Sequence, residues 1–263
     1  VTAQELKPTQ GTNLARGKAL RFDPPPSYPG CTDPGDTLDL TDGRYNGCLW
    51  IKKGTVGFLP GYGWDIETTP VLLVDMDLGE ERPIREVTFS SITGSGGVTF
   101  PFAVRVFVST DARNYDLLCD IPTSSVPQDK PLNHRFAAGG LKGWGRHVRI
   151  AVLPGGPMVF FDEIEIMAGS HSRDEAQRLN KRPIPAGMVK IFARQMRRGT
   201  PTLWTYSGYG SDRGTMRENG SYPCEGLLGL KIRHPEFHRV ATAINSLLIR
   251  KSFLDEQLRS VER

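Results

Sequence analysis

Between residues 71 and 168, apolar and polar residues alternate in short runs separated by glycine, proline and other turn-forming residues. The runs are 71–78, 84–89, 103–108, 147–152 and 159–166. A period of two places successive side chains on opposite faces of a β-strand. No run with helical spacing separates these strands, so they predict a mainly β fold, an antiparallel β-sandwich of jelly-roll type.

The periodicity changes after residue 168. The spacing from Ser172 to Glu175 is that of a capping box, and residues 185–198 predict a second helix with a proline near its first turn. From Pro235 onward, apolar residues recur every three or four positions, as in an amphipathic helix: Phe237, Val240, Ile244, Leu247, Leu248, Leu254 and Leu258. We therefore predict an N-terminal segment (1–11), a β-sandwich domain (12–168) and a helical C-terminal extension or part of a neighbouring domain (169–263).

The formal net charge of +4 hides an asymmetry between the two parts of the chain. Residues 1–169 carry 16 Lys and Arg against 20 Asp and Glu, whereas residues 170–263 carry 17 against 9. A basic tail is found in proteins that bind nucleic acid or anionic surfaces. Here the charges sit among helically spaced apolar residues, which favours a solvated helix face, and we do not predict nucleic-acid binding. No apolar run reaches the ~18 residues of a transmembrane helix.

The four cysteines form no CxxC pair, so we do not expect a structural zinc site. Cys31 and Cys48 are the only pair close in sequence, and a disulfide between them and free buried thiols both remain open. The chain starts at Val1 without a signal-like segment, which is consistent with a mature secreted protein or an excised fragment.

Several short motifs occur in an order that resembles a known family. They are Asn13-Leu14-Ala15-Arg16-Gly17-Lys18, Leu40-Thr41-Asp42-Gly43 with Trp50, Val74 to Gly79, Val104 to Tyr115, Gly145 to Ile150, and Phe161 to Ile166. Together they resemble the discoidin, or coagulation-factor C-type, domain, whose galactose-binding-like fold is shared by many carbohydrate-binding modules. Ala112 and Tyr115 depart from the residues usual in the family, and residues 21–39 form a longer, proline-rich stretch. The departures fall mainly in loops.

The resemblance places a ligand on loops at one end of the sandwich, here 21–35, 57–67, 94–101 and 153–158. A sugar needs an aromatic ring to stack on and charged or amide groups that bond its hydroxyls. The residues expected to bind the ligand are Tyr62, Trp64, Asp65, Arg21, Phe22 and Tyr28. The alternative is that these rings close the end of the sandwich as ordinary core. We expect Trp50 and Trp144 to be buried framework residues.

Many modules that this chain resembles also hold a structural calcium ion. Asp42 and Glu163 match the family positions, and backbone carbonyls near Asp39 and Gly47 would complete the oxygen ligands that calcium prefers. In the alternative interpretation Asp42 only forms an Asx turn and Glu163 faces water.

Enzyme motifs are weak by comparison, with no G-x-S-x-G, no HExxH and no P-loop. His234 and His238 are spaced like a helical metal pair, but a surface pair is the better interpretation. We predict a non-catalytic carbohydrate-binding module of a secreted, extracellular protein that acts on glycans or polysaccharides. An attached catalytic domain, such as a glycoside hydrolase, remains open.

Two alternatives from other functional classes remain. The first is an adhesion module for a protein or for phospholipid head groups, with Phe22, Tyr28 and Phe58 as exposed apolar contacts. The second is a polysaccharide-active enzyme whose site includes the C-terminal polar loop Trp204, Tyr206, Tyr209, Asp212, Arg213, Arg217 and Glu218.

Overall fold

The computed structural model describes residues 6–47, 53–60, 71–94, 97–121, 123, 132–195, 222–224 and 230–232. The strands are β1 (Leu20–Asp23), β2 (Val56–Phe58), β3 (Leu72–Thr93), β4 (Ala103–Ser109), β5 (Asn114–Ile121), β6 (Leu132–Leu153), β7 (Val159–Ala168), β8 (Ile184–Pro185), β9 (Tyr222–Cys224) and β10 (Leu230–Ile232). The α-helices in the described part are the one-turn α1 (Asp36–Asp39) and α2 (Val189–Gln195).

Strands β1 to β8 form one antiparallel sheet, in the order β2-β7-β3-β6-β4-β5-β8, with β1 paired to β3. Strands β9 and β10 form a separate antiparallel pair. Because β3 and β6 are 22 residues each, they run through both layers of a curled sheet. The first layer contains β1, β4 and β5 with the start of β3 and the end of β6, and the second contains β2 and β7 with the end of β3 and the start of β6. The predicted antiparallel β-sandwich is thereby confirmed.

The predicted strands 71–78 and 84–89 are two parts of the single strand β3. The pairing with β6 continues across the polar stretch between them, although the register shifts between Asp77 and Arg82. Gly79 adopts a φ of +93°, a conformation open to glycine at little cost, and this lets the strand bend where a turn was expected. The bend is what allows one strand to serve both layers.

The main core lies between the two layers of the curled sheet. It includes Val74 and Val106 from the first layer, and Phe89 and Phe161 from the second, all at most 1% exposed. These are the inward positions of the alternating runs. Burial of such side chains contributes about 1.5 to 3 kcal/mol each to folding.

A second apolar cluster lies on the outer face of the first layer. Phe107, Leu117 and Leu153 pack there against Val189 and Ala193 of helix α2. The predicted helix over 185–198 is found as a 3₁₀ turn followed by α2, and the capping box at Ser172 opens a 3₁₀ turn over Arg173–Glu175. The first part of the C-terminal extension therefore covers the sandwich.

Two buried arginines of the sheet bind the backbone of this covering segment. Arg105 donates to the carbonyl oxygen of Ala193 in the last turn of α2, and Arg149 Nη1 donates to the carbonyl of Ala186 at 2.9 Å. Helix carbonyls at a C-terminal end attract cations. The segment is thus held by polar contacts as well as by apolar packing.

Candidate functional site

The described parts of the loops predicted to bind ligand meet at one end of the sandwich. The backbone N–H groups of Ser27 and Tyr28 both donate to the carbonyl of Gly57, which joins the first two loops. Thr99 donates to the carbonyl of Met158 at 3.1 Å, which joins the third loop to the fourth. Four segments distant in sequence therefore form one surface.

Tyr28 links the two pairs of loops. Its ring is half-buried and packs edge-on against Phe160 with the centroids 4.9 Å apart, in a small cluster that also contains Val98 and Met158. A Cβ at Gly57 would lie 2.6 Å from the Phe160 ring, so only glycine permits this close approach. The cluster fixes the position of Tyr28 at the loop end.

Arg21 and Phe22 lie on β1, where the first loop begins. The Arg21 side chain is 78% exposed and binds Asp75 at 3.1 Å, whereas Phe22 is half-buried and packs edge-on against Phe58. Phe58 is 1% exposed, so the expectation that it is an exposed apolar contact for adhesion is wrong. It is a core residue because β2 pairs with β7 and turns the ring inward.

Other predicted residues lie outside the described part of the chain. These are Tyr62, Trp64, Asp65 and Trp50, together with the polar loop from Trp204 to Glu218 and the pair His234 and His238.

A second group of functional candidates lies on the outer side of β7. Glu163 is completely buried, and both of its carboxylate oxygens accept the backbone N–H of Gly43, at 3.0 and 3.1 Å. Burial, and then the nearby Asp42 carboxylate, raise the pKa of Glu163 to about 9. The alternative in which Glu163 faces water is wrong, because residues 40–47 cover the strand.

The surroundings of Glu163 include the residues at which the sequence predicts a calcium ion. Asp42 is half-buried, and its Oδ1 accepts the Arg44 N–H at 2.8 Å. This is the Asx turn that the alternative to a calcium site predicted for Asp42. The Asp39 side chain has a buried Oδ2 for which no partner is found among the described residues, but its carboxylate groups with those of Asp33 and Asp36, so the prediction for Asp39, as for Gly47, concerns the backbone carbonyl. Carboxylate and carbonyl oxygens are the ligands that calcium prefers, and Asp42 and Glu163 lie close enough for the charge of Asp42 to raise the pKa of Glu163.

Asp162 was missed by the sequence analysis. Its Oδ1 accepts the N–H of Asn46 at 2.8 Å, its Oδ2 accepts Asn133 Nδ2 at 3.0 Å, and Asn133 Oδ1 accepts Ser90 Oγ at 3.0 Å. Burial raises the pKa of Asp162 to about 6. The network ties residues 40–47 to the sheet; the only sequence signal was a second acidic residue beside Glu163.

No family model matches this chain, and no curated protein matches it. Similar solved structures are carbohydrate-binding modules.

One is CpGH89CBM32-5 from Clostridium perfringens in complex with GalNAc-β-1,3-galactose, at 14% identity and a TM-score of 0.42, covering 60% of this chain and 100% of that one. A second is chitosan-binding module 1 of a chitosanase/glucanase from Paenibacillus sp. IK-5, at 14% identity and a TM-score of 0.37, covering 60% and 99%. A third is the lectin domain of lectinolysin with Lewis B antigen, at 14% identity and a TM-score of 0.40, covering 62% and 100%.

The sequence left open whether the cysteines form a disulfide or free thiols. Cys31 and Cys119 are buried free thiols, and burial raises the pKa of each to about 12. Cys48 lies outside the described residues.

Within the described ranges, no helix has the length and apolar character needed to cross a bilayer.

Proposed function

We propose that this protein is a non-catalytic carbohydrate-binding module whose ligand lies on the loop end of the sandwich. The observation that carries the proposal is the convergence of four loops around the fixed, half-exposed ring of Tyr28. Tyr62, Trp64 and Asp65 belong to the second of these loops, and Arg21 stands at the start of the first.

The covered faces of the sandwich support the same location. Helix α2 packs on the outer face of β4 to β6, and residues 6–13 with residues 40–47 lie over β7, where Thr9 binds Glu165 through its backbone N–H at 2.8 Å. A ligand on either face would have to displace buried contacts. A ligand at the loop end would not have to displace these contacts.

A sugar at this end would stack on Tyr62 or Trp64 and bond to Asp65 and the exposed guanidinium of Arg21. Tyr28 would add ring surface, and Phe22 would hold β1 in place by its packing on Phe58. Binding requires no bond to be broken. An open site buries little surface, so we expect weak affinity that is raised by tethering or by repeated contacts.

The proposal is tested by screening the full chain against a glycan array that includes galactose, N-acetylgalactosamine, fucose and chitooligosaccharides, followed by calorimetric titration of the best ligand. We expect Trp64→Ala and Arg21→Ala each to weaken binding about tenfold, the effect of losing about 1.4 kcal/mol. Arg113→Ala is the matched control, because Arg113 is exposed in the β4–β5 turn, away from the loop end.

Two outcomes would contradict the proposal. One is the absence of any ligand at millimolar concentration. The other is binding to liposomes or to a protein that survives Trp64→Ala and is not competed by sugar, which would make this an adhesion module.

The proposal includes a structural calcium ion held by Asp42 and Glu163, with carbonyls of Asp39 and Gly47. Burial of Glu163 beside a second carboxylate supports it, because the ionised form of such a group needs a cation and no Lys or Arg pairs with Glu163 among the described residues. The ion would fasten residues 40–47 to β7. The ion would neutralise the charge of the Asp42 and Glu163 carboxylates and would take part in no reaction.

The proposal also places the protein outside the cell, in a chain that acts on glycans or polysaccharides. Polysaccharides accumulate outside cells, and a weak binding module gains most when it is attached to a catalytic partner that works on the same polymer.

A further inference from the structure

The end of the sandwich opposite the loops carries a tryptophan that the core does not use. Trp144 lies on β6 opposite Pro83 of β3, at the bend where the register between the two strands shifts. About ten residues of each strand, on the order of 30 Å, separate this bend from the loop end. The two ends are therefore separate surfaces.

Trp144 was expected to be a buried framework residue, and the structure differs. The ring is half-buried, and it belongs to none of the three apolar clusters of the described residues, either as a member or as a partly buried neighbour. Fully buried rings such as Phe89, by contrast, lie inside the main cluster. Packing of the core therefore gives no reason for a tryptophan here.

The polar edge of the ring is held in place. Trp144 Nε1 donates to Glu81 Oε2 at 2.8 Å, and the same carboxylate oxygen lies 3.4 Å from Arg173 Nη1. Glu81 reaches the ring because the register shift of β3 falls between Asp77 and Arg82, and such bulges commonly redirect side chains. The indole orientation is thus fixed before any ligand arrives.

The surroundings of the ring supply hydrogen-bonding groups that remain accessible. The side chains of Glu81 and Arg173 are 35% and 66% exposed. His171 contacts the carbonyl of Gly143, the residue before Trp144, through Nε2 at 2.7 Å, which anchors the loop that carries Arg173. An oriented ring with a carboxylate and a guanidinium at its edge meets the requirements of a pyranose: an apolar surface for its C–H face and partners for its hydroxyls.

We propose that Trp144, Glu81 and Arg173 form a second carbohydrate-binding surface, at the end of the sandwich opposite the loops. Its ligand class is a neutral pyranose, which stacks on the indole and bonds through vicinal hydroxyls to the Glu81 carboxylate and the Arg173 guanidinium. With a site at each end, one module would contact two chains of a polymer, and double attachment would raise its retention.

The test follows the indole N–H signals of the full-length protein by NMR during separate titrations with galactose, N-acetylgalactosamine and chitobiose. Trp144→Phe identifies the Trp144 signal. We expect one of these sugars to shift that signal, and the shift to persist in Trp64→Ala, in which the loop-end site is removed. We expect Arg173→Ala and Glu81→Gln each to weaken the response about tenfold, whereas Arg178→Ala, a control at an exposed arginine of the same segment, leaves it unchanged.

Failure of this inference and failure of the proposed function are distinguishable. A Trp144 signal that none of the three sugars moves, in a protein whose unfolding midpoint is normal, would overturn the second surface and leave the loop end untouched. A Trp144 shift that is unaffected by Arg173→Ala and Glu81→Gln would also overturn it. Loss of the loop-end site alone would appear as a Trp64 signal that does not move.

Discussion

At the scale of single residues, two arginine–aspartate pairs of similar geometry differ in burial. Arg149 binds Asp75 through two bonds, lies 4.7 Å from the centre of the Tyr115 ring, and is 8% exposed. Arg146 binds Asp77 through two bonds of 2.8 Å, but both side chains are more than 40% exposed. We expect Arg149→Ala to lower the free energy of unfolding by about 3 kcal/mol, because the buried Arg149 is lost and the half-buried Asp75 carboxylate keeps only the exposed Arg21 as an ion-pair partner.

The matched variant Arg146→Ala should cost about 0 to 1 kcal/mol, as exposed pairs do. Both values are read from urea unfolding followed by circular dichroism. Equal losses from the two variants would show that burial is not what separates the pairs.

At the scale of secondary-structure elements, helix α2 is expected to stabilise the sandwich rather than merely follow it. Val189 is completely buried against the outer face of the first layer. Val189→Ala removes two methyl groups from this contact and should lower the free energy of unfolding by about 1 to 3 kcal/mol. Thermal and urea unfolding of the full chain measure the loss.

Leu179→Ala is the control for this prediction, because Leu179 precedes the same helix but is 62% exposed. We expect it to change the stability by less than about 0.5 kcal/mol. If Val189→Ala were equally neutral, the contact between α2 and the sheet would not contribute to folding in solution.

At the scale of the whole molecule, the proposed calcium ion would join residues 40–47 to the closing strand, two parts of the chain about 120 positions apart. Binding to the folded state alone stabilises it by about 2.7 kcal/mol at a hundred times the dissociation constant. We expect the melting temperature to be about 5 to 10 °C higher in calcium than in EDTA. Scanning fluorimetry measures the difference.

Glu163→Gln should abolish that calcium-dependent shift. Glu165→Gln is the matched control on the same strand, since Glu165 is equally buried but is bonded to Thr9 and Thr88. We expect it to lower the melting temperature in both buffers while the shift survives. Identical melting in calcium and EDTA for the unaltered protein would remove the metal from the proposal.

Much of the framework could be predicted because strand alternation is a local property. The inward positions of 103–108 and 147–152 follow from a period of two, and both runs are found in β4 and β6. The prediction that the strand ends at Gly79 was wrong because glycine and polar residues indicate only that the local backbone can turn. Pairing with the distant strand β6 keeps β3 continuous.

Less of the candidate sites could be predicted, because each depends on which distant segment covers which face. Alternation alone leaves Glu163 and Glu165 free to face water, and the buried network of Asp162 has no local signature. For Trp144 the error runs the other way. This aromatic residue of a strand was expected to be buried, but it is not part of the main core.

By itself, the sequence determined the strands, their inward faces and the order of motifs that resembles the discoidin family, since all of these are set by neighbours along the chain. Only the tertiary structure decided that α2 covers the outer sheet face, that acidic residues of β7 are buried, and that Trp144 stays at the surface. Burial depends on contacts between segments that are far apart in sequence, and no local pattern encodes which of two faces a distant segment will cover.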